Sequence, residues 1–224
     1  MSRSIVNGDA QSLHRIRPVF SDAIHVALLR PTMKCVVFGS SQRELASRSH
    51  AALVRAGYES AVRDSGGGAV VVGPEMQLWF GVYERYSAEV STRPTISTSL
   101  ISLGRRLQEG LRALGAPPGE VVTTPTPRSQ VDSLICFAGT SYGEILVDGG
   151  KLVGISQRRT RDLVISHVMI LREPTQHILF ELFSEMLGDE RGVPQATLRE
   201  YGVVTPTPSD TLSLFGSLLD PPHS

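Results

Sequence analysis

Val62-Arg63-Asp64-Ser65-Gly66-Gly67-Gly68-Ala69-Val70-Val71-Val72 sets three glycines between two β-prone runs, Tyr58–Arg63 and Ala69–Val72. That placement decides the class of fold. Glycines between strands let backbone come close to a ligand without side-chain obstruction, and on purely structural grounds they read as a bulge or turn. A phosphate-cradling loop needs a different arrangement, either G-x-G-x-x-G after a strand or G-x-x-x-x-G-K-[ST]. Neither occurs here, so the triplet belongs to a sheet and not to the start of a helix.

Outward from the triplet, Ile24–Leu29 and Cys35–Phe38 read as short strands separated by Arg30-Pro31-Thr32, because proline removes a ladder donor. Leu45, Ala46, Ala52, Leu53 and Ala56 mark one face of a helix over Gln42–Ala56, stopped by Gly57. Alternation of Leu78, Phe80 and Val82 makes Gln77–Tyr83 a strand. Ile96, Leu100, Leu103, Leu107, Leu111 and Leu114 recur at helical spacing, which predicts a helix over Thr95–Leu114 ending at Gly115. Beyond it, Leu134–Phe137, Glu144–Val147, Leu152–Ser156 and Val164–Leu171 read as strands, with Asp148-Gly149-Gly150 as a hairpin turn. A helix follows Pro174 to about Leu187, and Thr197–Leu219 reads as two short helices around Thr205-Pro206-Thr207-Pro208. Strands and helices in mixed blocks predict an α+β fold with a mixed, largely antiparallel sheet packed on helices.

The 224 residues suit one large domain with a small appendage, and 22 basic residues balance 22 acidic ones. No basic face is implied, so nucleic acid is a poor candidate partner. No apolar run approaches the roughly 20 residues needed to cross a bilayer, and no apolar segment follows Met1–Ala10 as in an export signal. The expectation is a cytoplasmic protein with no membrane partner. Its two cysteines, Cys35 and Cys136, lack metal-ligand spacing and are expected as free thiols, with no metal site. Cys35, inside an apolar run, reads as a core residue.

Cys136 differs, because Ile135-Cys136-Phe137 opens onto Ala138-Gly139-Thr140-Ser141. A thiol becomes a nucleophile when a nearby cation favours the thiolate. Lys151, on the exit of the Asp148-Gly149-Gly150 turn, is the nearest candidate in sequence, and the two could be neighbours in one sheet. Partly buried there, an ammonium would stabilise negative charge developing on a carbonyl. Taken singly, both residues also have bland readings, a structural cysteine and a solvated lysine.

Taken together, three segments resemble the lipoate/biotin protein ligase superfamily over about Val36–Leu171. Arg63-Asp64-Ser65-Gly66-Gly67-Gly68-Ala69-Val70 is similar to its acyl-site motif, and Gly150-Lys151-Leu152-Val153-Gly154 to its lysine motif. Cys136-Phe137 followed by Ser141 and Glu144 resembles the nucleophile segment of cysteine octanoyltransferases. The resemblance implies a class II synthetase/biotin protein ligase-like fold, with a catalytic domain over 1–188 and a small helical extension over 189–224. It implies Cys136 and Lys151 as catalytic, and Arg63, Ser65, Gly66, Gly67, Gly68, Ala69, Gly154, Ile155, Ser156 and His167 around the acyl group. His167 alone reads better as a satisfied core histidine.

The superfamily contains ATP-dependent ligases and carrier-dependent transferases. Val71-Val72 stands where ligases commonly carry Tyr-His, and Ser156 where they carry alanine. These departures favour a transferase using no cofactor, with ATP needed only in the ligase alternative. The resemblance then implies octanoylated H protein or octanoyl acyl carrier protein as donor, and lipoyl domains of E2 subunits or H protein as acceptor. Arg158 and Arg159 are candidates to meet an acidic lipoyl domain. A family member that binds acylated domains without turning them over is the third reading.

Overall fold

In the computed structural model, which describes residues 2–85, 94–126, 133–172, 178–187 and 208–219, side-chain alternation along one strand sets up the layers. On β6 (Gln77–Arg85), Phe80 and Val82 face one apolar cluster, while Trp79 and Tyr83 face another. A strand buried on both faces must be covered twice. One face packs against α3 (Ile96–Ala113) and α5 (Pro208–Leu219), through Leu103, Leu107, Leu214 and Phe215. The other packs against a second, smaller sheet through Val37, Val70 and Val72. Behind that sheet, Val36, Phe38 and Val71 meet α2 (Arg43–Arg55) and α4 (Ile178–Leu187) at Leu53, Leu179 and Phe183. The order of layers is helix, sheet, sheet, helix.

The larger sheet runs β1 (Ser2–Gly8), β2 (Ile24–Pro31), β6, β10 (Leu163–Leu171), β9 (Gly150–Arg159), β8 (Ile145–Val147), β7 (Glu120–Val121). Only β1 with β2 is parallel; the other neighbours are antiparallel. In the smaller sheet, β3 (Cys35–Phe38) lies between β4 (Glu59–Val62), parallel, and β5 (Val70–Val72), antiparallel. Joining β3 to a parallel partner requires a crossover, and α2 supplies it. The mixed, largely antiparallel arrangement predicted from the sequence is the one found.

Most predicted elements are present, with ends shifted by a residue or more. Gly57 stops α2 at φ +79°, a left-handed conformation that favours glycine. Pro31 completes β2, so the turn follows it instead of containing it. Three elements lack a sequence signal: β1 is polar and its side chains alternate between half-buried and exposed, α1 (Ala10–Arg15) is six residues long, and β7 has two. Asp9 caps α1 by accepting from Ser12 N at 2.8 Å.

Leu134–Phe137 is a correction. It is not a strand but a turn that meets the residue before β5 through one parallel bridge, Ala69 to Ile135, with Cys136 N donating to Ala69 O at 2.8 Å. A Cβ on Gly68 would lie 2.6 Å from the Ile135 backbone. The two chains therefore cross at contact distance, and pairing does not continue past the crossing. Cys136 and Lys151 are accordingly not neighbours in a sheet.

The helix Pro208–Leu219 joins the main core, where Arg106 Nη1 donates to Leu218 O at 3.1 Å. The predicted boundary at 188/189, the first of the two tail helices and the Pro174 helix start lie outside the described residues. Among the described residues, no helix is long and apolar enough to cross a membrane.

Candidate active site

The site is built where the glycine loop between β4 and β5 meets the turn carrying Cys136. Arg63 directly follows β4 and is 3% exposed. Its Nη2 donates to Gly66 O and Gly68 O, both at 2.9 Å, so the guanidinium fork folds the loop around itself. Gly67 sits at φ +101°, and a Cβ there would come within 2.8 Å of Arg63 Nη2. The motif is thus a folding unit: the arginine needs carbonyls, and the glycines let the chain turn tightly enough to supply them. Burial pushes the Arg63 guanidinium below its usual range, and the Cys136 thiol beside it acts against that shift. Arg63 is the cation at the thiol.

Lys151 approaches from the other wall. Asp148 (φ +49°) and Gly149 (φ +74°) form the two-residue turn of the β8–β9 hairpin, the geometry for which Asp-Gly is suited. One residue into β9, Lys151 is 3% exposed. Its Nζ donates to the Cys136 carbonyl at 2.7 Å and to Glu144 Oε2 at 2.8 Å, and lies 5.2 Å from the centre of the Phe137 ring. The ammonium therefore holds the backbone of the cysteine, while the guanidinium lies beside its sulfur.

Two cavities meet at Cys136. An open cleft of about 260 Å³ is lined by Gly66, Gly67, Gly68, Lys151 and Glu144, with Ile96 and Leu100 of α3 opposite. A narrow chamber of about 30 Å³ runs between the sheets, lined by Val70, Trp79, Phe137, Gly154, His167 and Met169. Arg63, Cys136, Ile155 and Ser156 border both. Two neutral imidazoles border the chamber. Burial holds His167 down at about 3, with Arg63 adding to the effect, and Trp79 Nε1 donates to its Nδ1 at 3.1 Å. His14 is held well below 6.5 by burial, then by His167 and Arg63, and its Nε2 has no hydrogen-bond partner among the described residues.

Of the sequence-predicted residues, Cys136, Lys151, Arg63, Gly66, Gly67, Gly68, Ile155 and Ser156 line the cleft. Gly154 and His167 line only the chamber. Ser65 stands behind the wall, its Oγ donating to Ser156 Oγ at 3.4 Å, and Ala69 is the buried bridge residue below Cys136. Arg158 pairs with Asp64 on the rim, whereas Arg159 is engaged internally, donating to Pro94 O and Thr95 O before α3. Cys35 is buried, and burial pushes its thiol up to about 12. No cluster of three or more potential metal ligands occurs among the described residues.

Glu144 had no role assigned from the sequence. A carboxylate at the entrance to an apolar strand reads as solvated, yet this one is 2% exposed. The signal that could have found it is the lysine itself, because a buried ammonium needs a counter-charge.

Chemically, the arrangement offers a thiol beside a guanidinium, an open approach on one side and a largely apolar slot on the other. The layers, the glycine loop and the buried lysine together define a lipoate-ligase-like catalytic domain. Residues 12–200 match the family described as lipoyl protein ligase A/B catalytic domain, and the chain belongs to that family. It is 30% identical over 176 residues to an octanoyltransferase LipM of Kyrpidia tusciae, covering 77% of this chain and 62% of that one. It is 32% identical over 132 residues to an octanoyltransferase LipM of Exiguobacterium, covering 55% and 46%. The chain thus spans about half to three fifths of the length of these relatives. In fold it is similar to a bi-partite lipoate protein ligase from Thermoplasma acidophilum, solved in a study with its E2 lipoyl domain, at TM-score 0.61 and 15% identity, covering 96% of this chain and 80% of that one.

Proposed function

We propose that this chain is an acyltransferase that moves an octanoyl group from a carrier protein to a lipoyl-domain lysine through a thioester on Cys136. The observation carrying this reading is the position of Cys136 at the junction of cleft and chamber, with Arg63 against its sulfur and Lys151 on its carbonyl. A carrier-borne acyl group enters by the cleft, and its chain points into the largely apolar chamber, which has to open beyond its volume of about 30 Å³ to take it; each methylene buried there contributes about 0.8 kcal/mol.

The Cys136 thiolate attacks the acyl carbonyl carbon, forming a C–S bond. The bond to the carrier's sulfur or lysine nitrogen breaks, and that atom leaves with a proton. The acceptor lysine, neutral at nitrogen, then attacks the thioester; a C–N bond forms, the C–S bond breaks, and the amine's proton restores the thiol. In both steps the oxyanion is stabilised by Lys151 and by backbone N–H groups of the glycine loop. The acyl group arrives already bonded, so no nucleotide or metal takes part. Donors are octanoylated H protein or octanoyl acyl carrier protein, and acceptors are lipoyl domains of E2 subunits or H protein. The compartment that goes with this reading is the cytoplasm.

The test is intact-mass measurement after incubation with each octanoylated donor, for wild type and Cys136→Ser. The expected result is one octanoyl adduct, labile to hydroxylamine, on wild type alone. Charging of an acceptor from ATP and free octanoate or lipoate, without a carrier, would establish a ligase instead.

A further inference from the structure

Lys151 and Glu144 form an ion pair that is 3% and 2% exposed. A buried pair of this kind is a poor source of stability, because apolar residues of similar volume commonly do as well or better. Its place in the cleft wall points elsewhere. Glu144 Oε2 accepts from Lys151 Nζ at 2.8 Å and from Ser141 N at 2.6 Å. One carboxylate thus ties the Gly139–Gly143 loop to the start of β9. The loop is also fixed from behind: Gly143 lies against α3, where a Cβ on Gly104 would meet Gly143 O at 2.1 Å.

Resting on the proposed transfer at Cys136, we infer that Glu144 is the positioning residue of the reaction: it pairs with the Lys151 ammonium and keeps it aimed at the acyl carbonyl. An ammonium has three protons. Glu144 takes one and the Cys136 carbonyl a second, leaving a third for the cleft that Lys151 lines. The titratable groups lining the cleft are Arg63, Cys136, Glu144 and Lys151. Arg63 is a second buried cation lining the same cleft, and Glu144 is the carboxylate there that pairs with Lys151. Burial raises the Glu144 carboxyl above its usual range, with Lys151 acting against that rise. The pair is therefore held by mutual charge and not by solvation.

The experiment uses the full chain as wild type, Glu144→Gln and Glu144→Asp, with two readouts. The first is the rate of Cys136 acylation by octanoyl carrier protein between about pH 6 and 10. Glu144→Gln should lower kcat about 10- to 100-fold while KM changes less than about threefold, and its alkaline limb should move to lower pH. Glu144→Asp, which keeps the charge on a shorter stem, should recover part of the rate. The second readout is competitive acetylation of Lys151 with acetic anhydride, read by peptide mass and independent of turnover. Without its carboxylate partner Lys151 should react about tenfold faster at a given pH in Glu144→Gln, but at the wild-type level in Glu144→Asp. Unchanged labelling and an unchanged pH profile in Glu144→Gln would overturn the inference. If Glu144→Gln does not fold, Glu144→Asp decides through its lowered rate at wild-type labelling, and a wild-type rate overturns it. Failure of the wild type to accept any acyl group would instead remove the transfer reading, while the labelling arm still reports whether Glu144 sets the charge on Lys151.

Discussion

Arg63 does two jobs with one side chain, and substitution can separate them. Its fork closes the glycine loop on Gly66 O and Gly68 O, and its charge stands at the Cys136 sulfur. Lysine in its place keeps a charge but lacks the planar fork and carries its donors on a shorter, differently shaped stem, so it does not reproduce the fit to both carbonyls. Arg63→Lys should therefore retain part of the thiol's reactivity yet lose about 1 to 3 kcal/mol of stability from unsatisfied carbonyls. Arg63→Met should lose both, with iodoacetamide alkylation of Cys136 at neutral pH slowed by about tenfold or more. Cys35, buried and pushed up to about 12, serves as the internal control and should stay unmodified in the folded protein. Equal alkylation of Cys136 in wild type and Arg63→Met would show that the guanidinium does not activate the thiol.

At the scale of elements, the chamber is a product of register. Ser156 pairs with His167, and Gly154 with Met169, while Met169 pairs on its other side with Trp79. Ser156 borders both cavities, whereas Gly154, Met169 and Trp79 border only the chamber, so Met169 lies toward its far end. Gly154 leaves room for Phe137, whose ring would stand 3.0 Å from a Cβ there. Met169→Ala should then lengthen the slot and shift the preferred acyl chain upward by about one or two methylenes, at a stability cost of about 2 to 5 kcal/mol. Competition among carriers loaded with chains of graded length measures this directly, and an unchanged preference would place the limit elsewhere. The same register explains what the sequence could and could not disclose. The loop Arg63–Val70 and the turn before Lys151 were legible because their constraints are local: glycines and an Asp-Gly pair declare their backbone geometry. His14, Trp79 and Met169 come from α1, β6 and β10 and share a cavity only after the sheet is assembled. Leu134–Phe137 misled because four residues with an apolar majority read as a strand, and only the contact at Gly68 shows that pairing stops after one bridge.

Across the whole molecule, burial between the sheets holds imidazoles neutral, and this links stability to pH. His167 is held at about 3, His14 is held well below 6.5, and His25, between Ser2 Oγ and Ser4 Oγ, is also lowered by burial. An unfolded chain protonates these groups near 6.5. Between that value and the folded ones, the unfolded state binds more protons, so stability rises with pH. The contribution is complete above about pH 6.5 and is lost progressively as pH falls toward the folded values. Glu144 works in the opposite sense: a raised carboxyl favours the fold as pH falls from its folded value toward 4.5, and so offsets part of the histidine effect. Three lowered imidazoles against one raised carboxyl leave the histidines to set the sign of the slope between about pH 6.5 and 5. The urea midpoint should be level from about pH 8 to 7 and then decline steadily to about pH 5. His167→Gln, which can still accept from Trp79 Nε1, should make that decline shallower by about one proton's worth. A midpoint that stays flat from about pH 7 to 5 would mean that the imidazoles are as accessible to protons in the folded state as in the unfolded one, and the chamber they border would then be a wet site unsuited to an acyl chain.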